Sequence, residues 1–229
     1  MGADNSPKIR QAKRTHNRLE AKLKGNSRIL IVAEGEKTEP NYFLEIRQLL
    51  RLPAASVAIH PSADGTDSLT VVNYAERIFI NGDPHKKIAC KAFDAIYAIF
   101  DRDDHQTYAQ ALSRAESLNG KLRNDSKSPV SFHAIPSVPC FEFWLLLHYE
   151  EVVHPIDRFE VYKRLRVHLP EYEKGGPSNF SRTRANIALA YGRAVSLAKY
   201  HTPHGGLEPY TAIPRLLDAL NVSIPPLNQ

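Results

Sequence analysis

Three places in this chain put acids just where an apolar run gives way to a helix start, a position suited to metal binding or proton transfer. Glu34 follows Ile29-Leu30-Ile31-Val32-Ala33 and precedes Gly35, whose missing side chain allows a sharp turn. Asp101, Asp103 and Asp104 follow Phe93-Asp94-Ala95-Ile96-Tyr97-Ala98-Ile99-Phe100. Residues two apart in an extended segment face the same way, so Asp101 and Asp103 would aim two carboxylates at one point. Converging anions repel unless a cation sits between them, and Mg²⁺ or Mn²⁺ suits such oxygen donors. The same acids can instead cap the next helix, although a cap needs one acid and here there are three. Glu142 lies in the first turn of a helix opening near Pro139. There it either favours the positive helix end or joins the metal ligands. Glu36 and Glu39, in the turn after Glu34, are accessory candidates together with Asp104.

The elements that must position these acids follow from pattern. Strands are expected over residues 28–33, 56–60, 93–100 and 129–136, and helices over 42–50, 69–80, 106–122 and 137–149. Thr38 can cap the first helix, with Pro40 in its first turn, and Thr66 or Asp67 can cap the second. His148 is expected as a buried, hydrogen-bonded histidine rather than a ligand. Beyond residue 151 only helices are expected, over 156–169, 178–200 and 210–220. Strand followed by helix four times predicts an α/β fold with a mostly parallel four-stranded sheet and helices on both faces. The expected organisation is a basic arm at residues 1–26, an α/β domain at 27–150 and a helical extension at 151–229 packed on it. Glu34 would then meet Asp101 and Asp103 at one edge of the sheet.

Composition narrows the partners. The net charge is +5 with a pI near 9.1, and 42% of residues are apolar, as in ordinary soluble proteins. Basic residues crowd positions 7–28, Lys8, Arg10, Lys13 and Arg14 among them, against the single acid Glu20. Such an arm either grips a polyanion by releasing counterions or is a solvated leader. Lys174, Arg182 and Arg184, with Tyr172 and Phe180 interleaved, have the mixture found on nucleic-acid surfaces, and Lys37 is a further candidate for such contact; ordinary core aromatics beside a solvated helix face would look the same. Cys90 and Cys140 have neither metal-ligand spacing nor a disulfide framework. No apolar stretch approaches the roughly 18 residues of a membrane span, so a cytoplasmic location is expected.

Glu34-Gly35-Glu36-Lys37-Thr38-Glu39-Pro40-Asn41-Tyr42-Phe43, Phe100-Asp101-Arg102-Asp103-Asp104-His105 and Pro139-Cys140-Phe141-Glu142-Phe143-Trp144-Leu145-Leu146-Leu147-His148-Tyr149 stand in this order. A glutamate after the first strand and Asp-x-Asp after the third resemble the Toprim domain of topoisomerases, primases and several nucleases. The three segments together resemble the signatures of the RloB-like family, which lies beside phage-defence genes. The resemblance implies a Toprim-like fold, with Glu34, Asp101 and Asp103 as metal ligands and catalytic acids. Glu142 belongs to the family's own signature, and a metal role for it is an inference. The function expected is a Mg²⁺- or Mn²⁺-dependent nuclease in antiviral defence, with RNA, tRNA included, favoured over DNA by family analogy. A non-catalytic nucleic-acid-binding or partner subunit of a defence complex is the alternative. A receiver-like phosphotransfer domain would want a lysine after a fifth strand, and no convincing one appears.

Overall fold

Two continuous apolar runs decide the architecture, because their successive residues face opposite cores. A computed structural model describes residues 27–102, 107–204 and 209–225. In it β1 (Ile29–Ala33) and β3 (Ala95–Asp101) are buried along their whole length and pair in parallel, Ala33 opposite Ile99. Ile29, Ile31, Ala33, Tyr97 and Ile99 enter one core, whereas Leu30, Val32, Ile96, Ala98 and Phe100 enter another. A sheet buried on both faces needs such continuous apolar strands.

Helices α1 (Thr38–Leu49) and α4 (Phe141–Leu146) cover the first face. Helices α2 (Ser68–Asn81) and α3 (Tyr108–Leu118) cover the second. Asp67 caps α2, accepting from the Thr70 amide at 3.0 Å. With β2 (Val57–Pro61) and β4 (Ser131–Val138) the parallel strands run in the order β2-β1-β3-β4.

The chain beyond Glu150 shares the first core. Helices α5 (Arg158–His168), α6 (Asn179–Thr183), α7 (Ile187–Leu197) and α8 (Ile213–Ala219) place Val161, Leu165, Phe180, Ala190 and Leu216 against α1, α4 and the sheet. No helix among the described residues is long and apolar enough to cross a membrane.

Three expectations need correction. The sheet has five strands, because β5 (Tyr210–Thr211) pairs antiparallel with the end of β4 where a helix was expected to begin. Two residues are too short to carry a periodic signature, and Pro214 starts α8 only after them. The helix expected over 178–200 is broken into α6, a 3₁₀ turn at Arg184–Asn186 and α7. At the break, Thr183 Oγ1 donates back to the Asn179 carbonyl at 2.7 Å, a bond that bends helices. Thr38 does not cap α1: Lys37 occupies the cap position, and Thr38 Oγ1 accepts instead from the Gly175 amide at 2.8 Å.

Trp144 joins α4 to α1. It is fully buried, and its Nε1 donates to Tyr42 Oη at 2.8 Å. Trp144→Phe removes the indole donor from the buried Tyr42 hydroxyl, leaving it Thr183, and is expected to cost about 1–3 kcal/mol in chemical denaturation. A loss much smaller than that would mean that Thr183 alone satisfies the hydroxyl.

Candidate functional site

In the sheet order the chain moves from β1 outward to β2, then returns past β1 to β3. The carboxyl ends of β1 and β3 therefore flank the point where the winding reverses, the usual ligand crevice of open α/β sheets. Glu34 and Asp101 sit there. The Glu34 amide continues the β1–β3 ladder, donating to the Ile99 carbonyl at 2.9 Å. Its side chain then turns across, so that Glu34 Oε2 accepts from the Asp101 amide at 2.9 Å. The two acids are 9% and 8% exposed, a depth at which carboxylates are rare without partners.

Two further acids close on them. Glu39, in the first turn of α1, and Glu142, in the first turn of α4, are buried, at 5% and 1% exposed. The Glu39 carboxylate lies over the turn glycine: a Cβ on Gly35 would fall 2.0 Å from Glu39 Oε2. Glu142 Oε1 accepts from the Tyr172 hydroxyl at 2.8 Å. Glu39 Oε2 and Asp101 Oδ1 are buried with no hydrogen-bond partner. Gly35→Ala is expected to displace the Glu39 carboxylate rather than the backbone. Stability should change by less than about 1 kcal/mol, the range of substitutions that a flexible side chain can absorb, while any divalent-ion affinity falls. Unchanged affinity would remove Glu39 from the site.

Electrostatics record the crowding. Burial raises the Asp101 carboxyl well above its ordinary range, helped by Glu39, Glu142 and Glu34 and opposed by Arg158. Burial also raises Glu39, to about 7, with Glu142 and Glu34 adding to it and Lys174 opposing. Glu34 is raised by burial, against the Asp101 amide, Arg158 and Lys174. The Cys140 thiol is pushed up by burial and by Glu142 and Asp101. The cluster thus resists full ionisation, as clustered carboxylates without a counter-charge must.

The structure sorts the candidates. It brings Glu34, Glu39, Asp101 and Glu142 together, whereas Glu36 is exposed in the turn. Asp103 and Asp104 lie outside the described residues, as do Lys8, Arg10, Lys13 and Arg14. Among the described residues no three His, Cys, Asp or Glu side chains are already arranged to hold a metal ion. Lys37 and Lys174 are exposed on the rim, and the Lys37 side chain lies against Gly175. Arg182 pairs with Glu171 at 3.8 Å, and Arg184 is exposed in the 3₁₀ turn. Tyr172 and Phe180 are buried, so they are core aromatics and not a stacking surface for bases. His148 is buried as expected, its Nδ1 3.0 Å from the Trp144 carbonyl.

Arg158 and Tyr162 are site neighbours that the sequence reading missed. They stand one helical turn apart on α5, the one signal available, and that spacing only says they share a face. A cavity of about 510 Å³ opens at the β4–β5 edge, lined by Phe132, His133, Tyr191 and Asp218 among others; none of the four acids lines it.

The model of a family described as RloB-like protein matches residues 29–220, most of the chain. No curated protein and no solved structure matches.

Proposed function

The chain belongs to the RloB-like protein family, and from that premise we propose that it is a Toprim-type, divalent-metal-dependent nuclease acting on nucleic acid in antiviral defence. One observation carries the reading. Four buried carboxyls meet at the winding reversal of the sheet, and Asp101 Oδ1 and Glu39 Oε2 have no hydrogen-bond partner there. Hydrogen-bonding alone does not explain such orphaned oxygens; hard oxygen donors waiting for Mg²⁺ or Mn²⁺ do.

Glu34, Asp101 and Glu142 would hold the ion, joined by Glu39 and by Asp103, whose spacing from Asp101 suits it. The ion supplies Lewis acidity and lowers the pKa of bound water. The protein's own residues do the rest. The Asp101 amide orients the Glu34 carboxylate. In the metal-free site burial raises the Glu39 carboxyl to about 7, so binding of the ion near neutral pH would release its proton. Lys37 and Lys174 set positive charge on the rim, where a phosphate backbone would approach. RNA, tRNA included, is favoured over DNA on analogy with small Toprim effectors that stop translation.

A second reading has an observation in its favour: no described trio of side chains is pre-set around a metal position. It makes the chain a non-catalytic nucleic-acid-binding subunit that works with a defence partner protein. Incubation with tRNA, single-stranded RNA and duplex DNA, in Mg²⁺, Mn²⁺ or EDTA, separates the two. Cleavage of RNA that stops in EDTA is the expected result. Binding without cleavage under every condition would select the second reading.

A further inference from the structure

Segment 172–176 crosses the acid site and is tied to it at three points. The Tyr172 hydroxyl donates to Glu142 Oε1 at 2.8 Å. The Gly175 amide donates to Thr38 Oγ1 at 2.8 Å, and its carbonyl accepts from Asn41 Nδ2 at 3.3 Å. Thr38 and Asn41 belong to the first turn of α1, which carries Glu39, while Glu142 belongs to α4. The segment therefore bridges the two acid-bearing helices.

Its fit to α1 demands glycine. Gly175 has a φ of +78°, and a Cβ there would lie 3.0 Å from the Lys37 Cβ. Tyr172 is 2% exposed, and its ring stacks on Tyr162 at 6.4 Å. Its hydroxyl is thus buried and held by packing. Lys174, between these anchors, is exposed, and its charge acts on Glu34 and Glu39. With Arg158 acting on Glu34 and Asp101, the later part of the chain supplies the hydroxyl donor and the cations, and the earlier part the acids.

We propose that segment 172–176 is a working wall of the acid site, in which Tyr172 positions the Glu142 carboxylate for a divalent cation and Lys174 contacts the substrate phosphate. The proposal rests on the cation-binding reading of the four acids. Tyr162 and Cys140 also hydrogen-bond to Glu142, so Tyr172 is one of a set of donors that fix the orientation of this carboxylate, and such supporting partners govern metal affinity. A cation fixed beside the acids lets an anionic phosphate enter a site that would otherwise repel it.

The test uses the full chain and two readouts that do not need turnover. Mn²⁺ binding is measured by calorimetry for the parent protein, Glu34→Ala and Tyr172→Phe, alongside their melting temperatures. Tyr172→Phe keeps the ring and removes only the hydroxyl; it is expected to weaken Mn²⁺ about tenfold, the lower end for such partners, while the lost buried hydrogen bond lowers the melting temperature by only a few degrees, so that the protein is still folded at the temperature of the calorimetry. Parental Mn²⁺ affinity in this variant overturns the positioning role alone. Absence of Mn²⁺ binding by the parent protein overturns the metal reading itself. Separately, binding of a single-stranded RNA oligonucleotide in Ca²⁺ is followed against salt for Lys174→Ala and Lys174→Arg, exposed changes that spare the core. Lys174→Ala is expected to reduce the salt slope by about one, and Lys174→Arg to restore it. An unchanged slope overturns the phosphate contact.

Discussion

Asp101→Ala is expected to cut Mn²⁺-dependent RNA cleavage by more than about a hundredfold, since even partners one layer out from a metal are worth 10–100-fold. The same change should leave the metal-free protein at least as stable as its parent. Asp101 is buried at the end of β3, its Oδ1 has no partner, and three other acids surround it. Its side chain therefore contributes repulsion and desolvation cost to the metal-free fold, and removing it relieves both. The backbone groups of Asp101 that bond Glu34 and Ser68 survive the substitution. Initial rates in Mn²⁺ and melting curves in EDTA check the two halves together. Lost cleavage with unchanged or raised stability marks a residue kept for chemistry. Lost cleavage with a large fall in stability would mark Asp101 as structural, and cleavage retained within a few-fold would move the site elsewhere.

Glu39→Gln should stabilise the metal-free protein increasingly as pH rises. The Glu39 carboxyl is raised from its ordinary value of 4.5 to about 7, chiefly by burial. Between those values the native state holds a proton that the unfolded state has released, so stability falls as pH rises through the window. Below the ordinary value both states are protonated and the penalty vanishes. Above the raised value it is complete, of order 3 kcal/mol. His148 works in the opposite sense. Burial lowers it to about 4, so the unfolded state binds the extra proton and stability climbs with pH up to the ordinary imidazole value of 6.5. The clean measurement is therefore the difference between Glu39→Gln and parent in EDTA. That difference should be near zero at about pH 4.5 and of order 3 kcal/mol at about pH 8. A difference independent of pH would mean Glu39 ionises freely. Added Mn²⁺ at the higher pH should stabilise the parent more than the variant, because it supplies the charge the acids lack.

Much of this was legible from residue types and spacing. Ile29–Ala33 and Ala95–Asp101 are apolar without alternation, and only a sheet covered on both faces accommodates such strands. Glu34 and Asp101 end those strands, and parallel pairing of adjacent strands delivers both to one edge. The parallel α/β core and the meeting of these two acids are thus consequences of local pattern plus connectivity. The two-residue β5 and the break at Thr183 were not legible, because each depends on a partner distant in sequence or on one side-chain bond that competes with the helix.

The choice of Glu39 over Glu36 also belongs to the tertiary structure. The turn at Gly35 and the pitch of α1 decide which of the two acids points inward, and composition is blind to that. So does the role of the later helices. From sequence Lys174 reads as a nucleic-acid-binding candidate, Tyr172 as part of the same basic-aromatic mixture and Arg158 as a basic helix position, yet folding brings the charges of Lys174 and Arg158 to bear on Glu34, over a hundred positions earlier, and the Tyr172 hydroxyl onto Glu142. Sequence alone determined which residues could do chemistry and that two of them share an edge. Packing of the last helices decided which acids are buried together and what opposes their charge, because burial and proximity are properties of the whole chain and of no single segment.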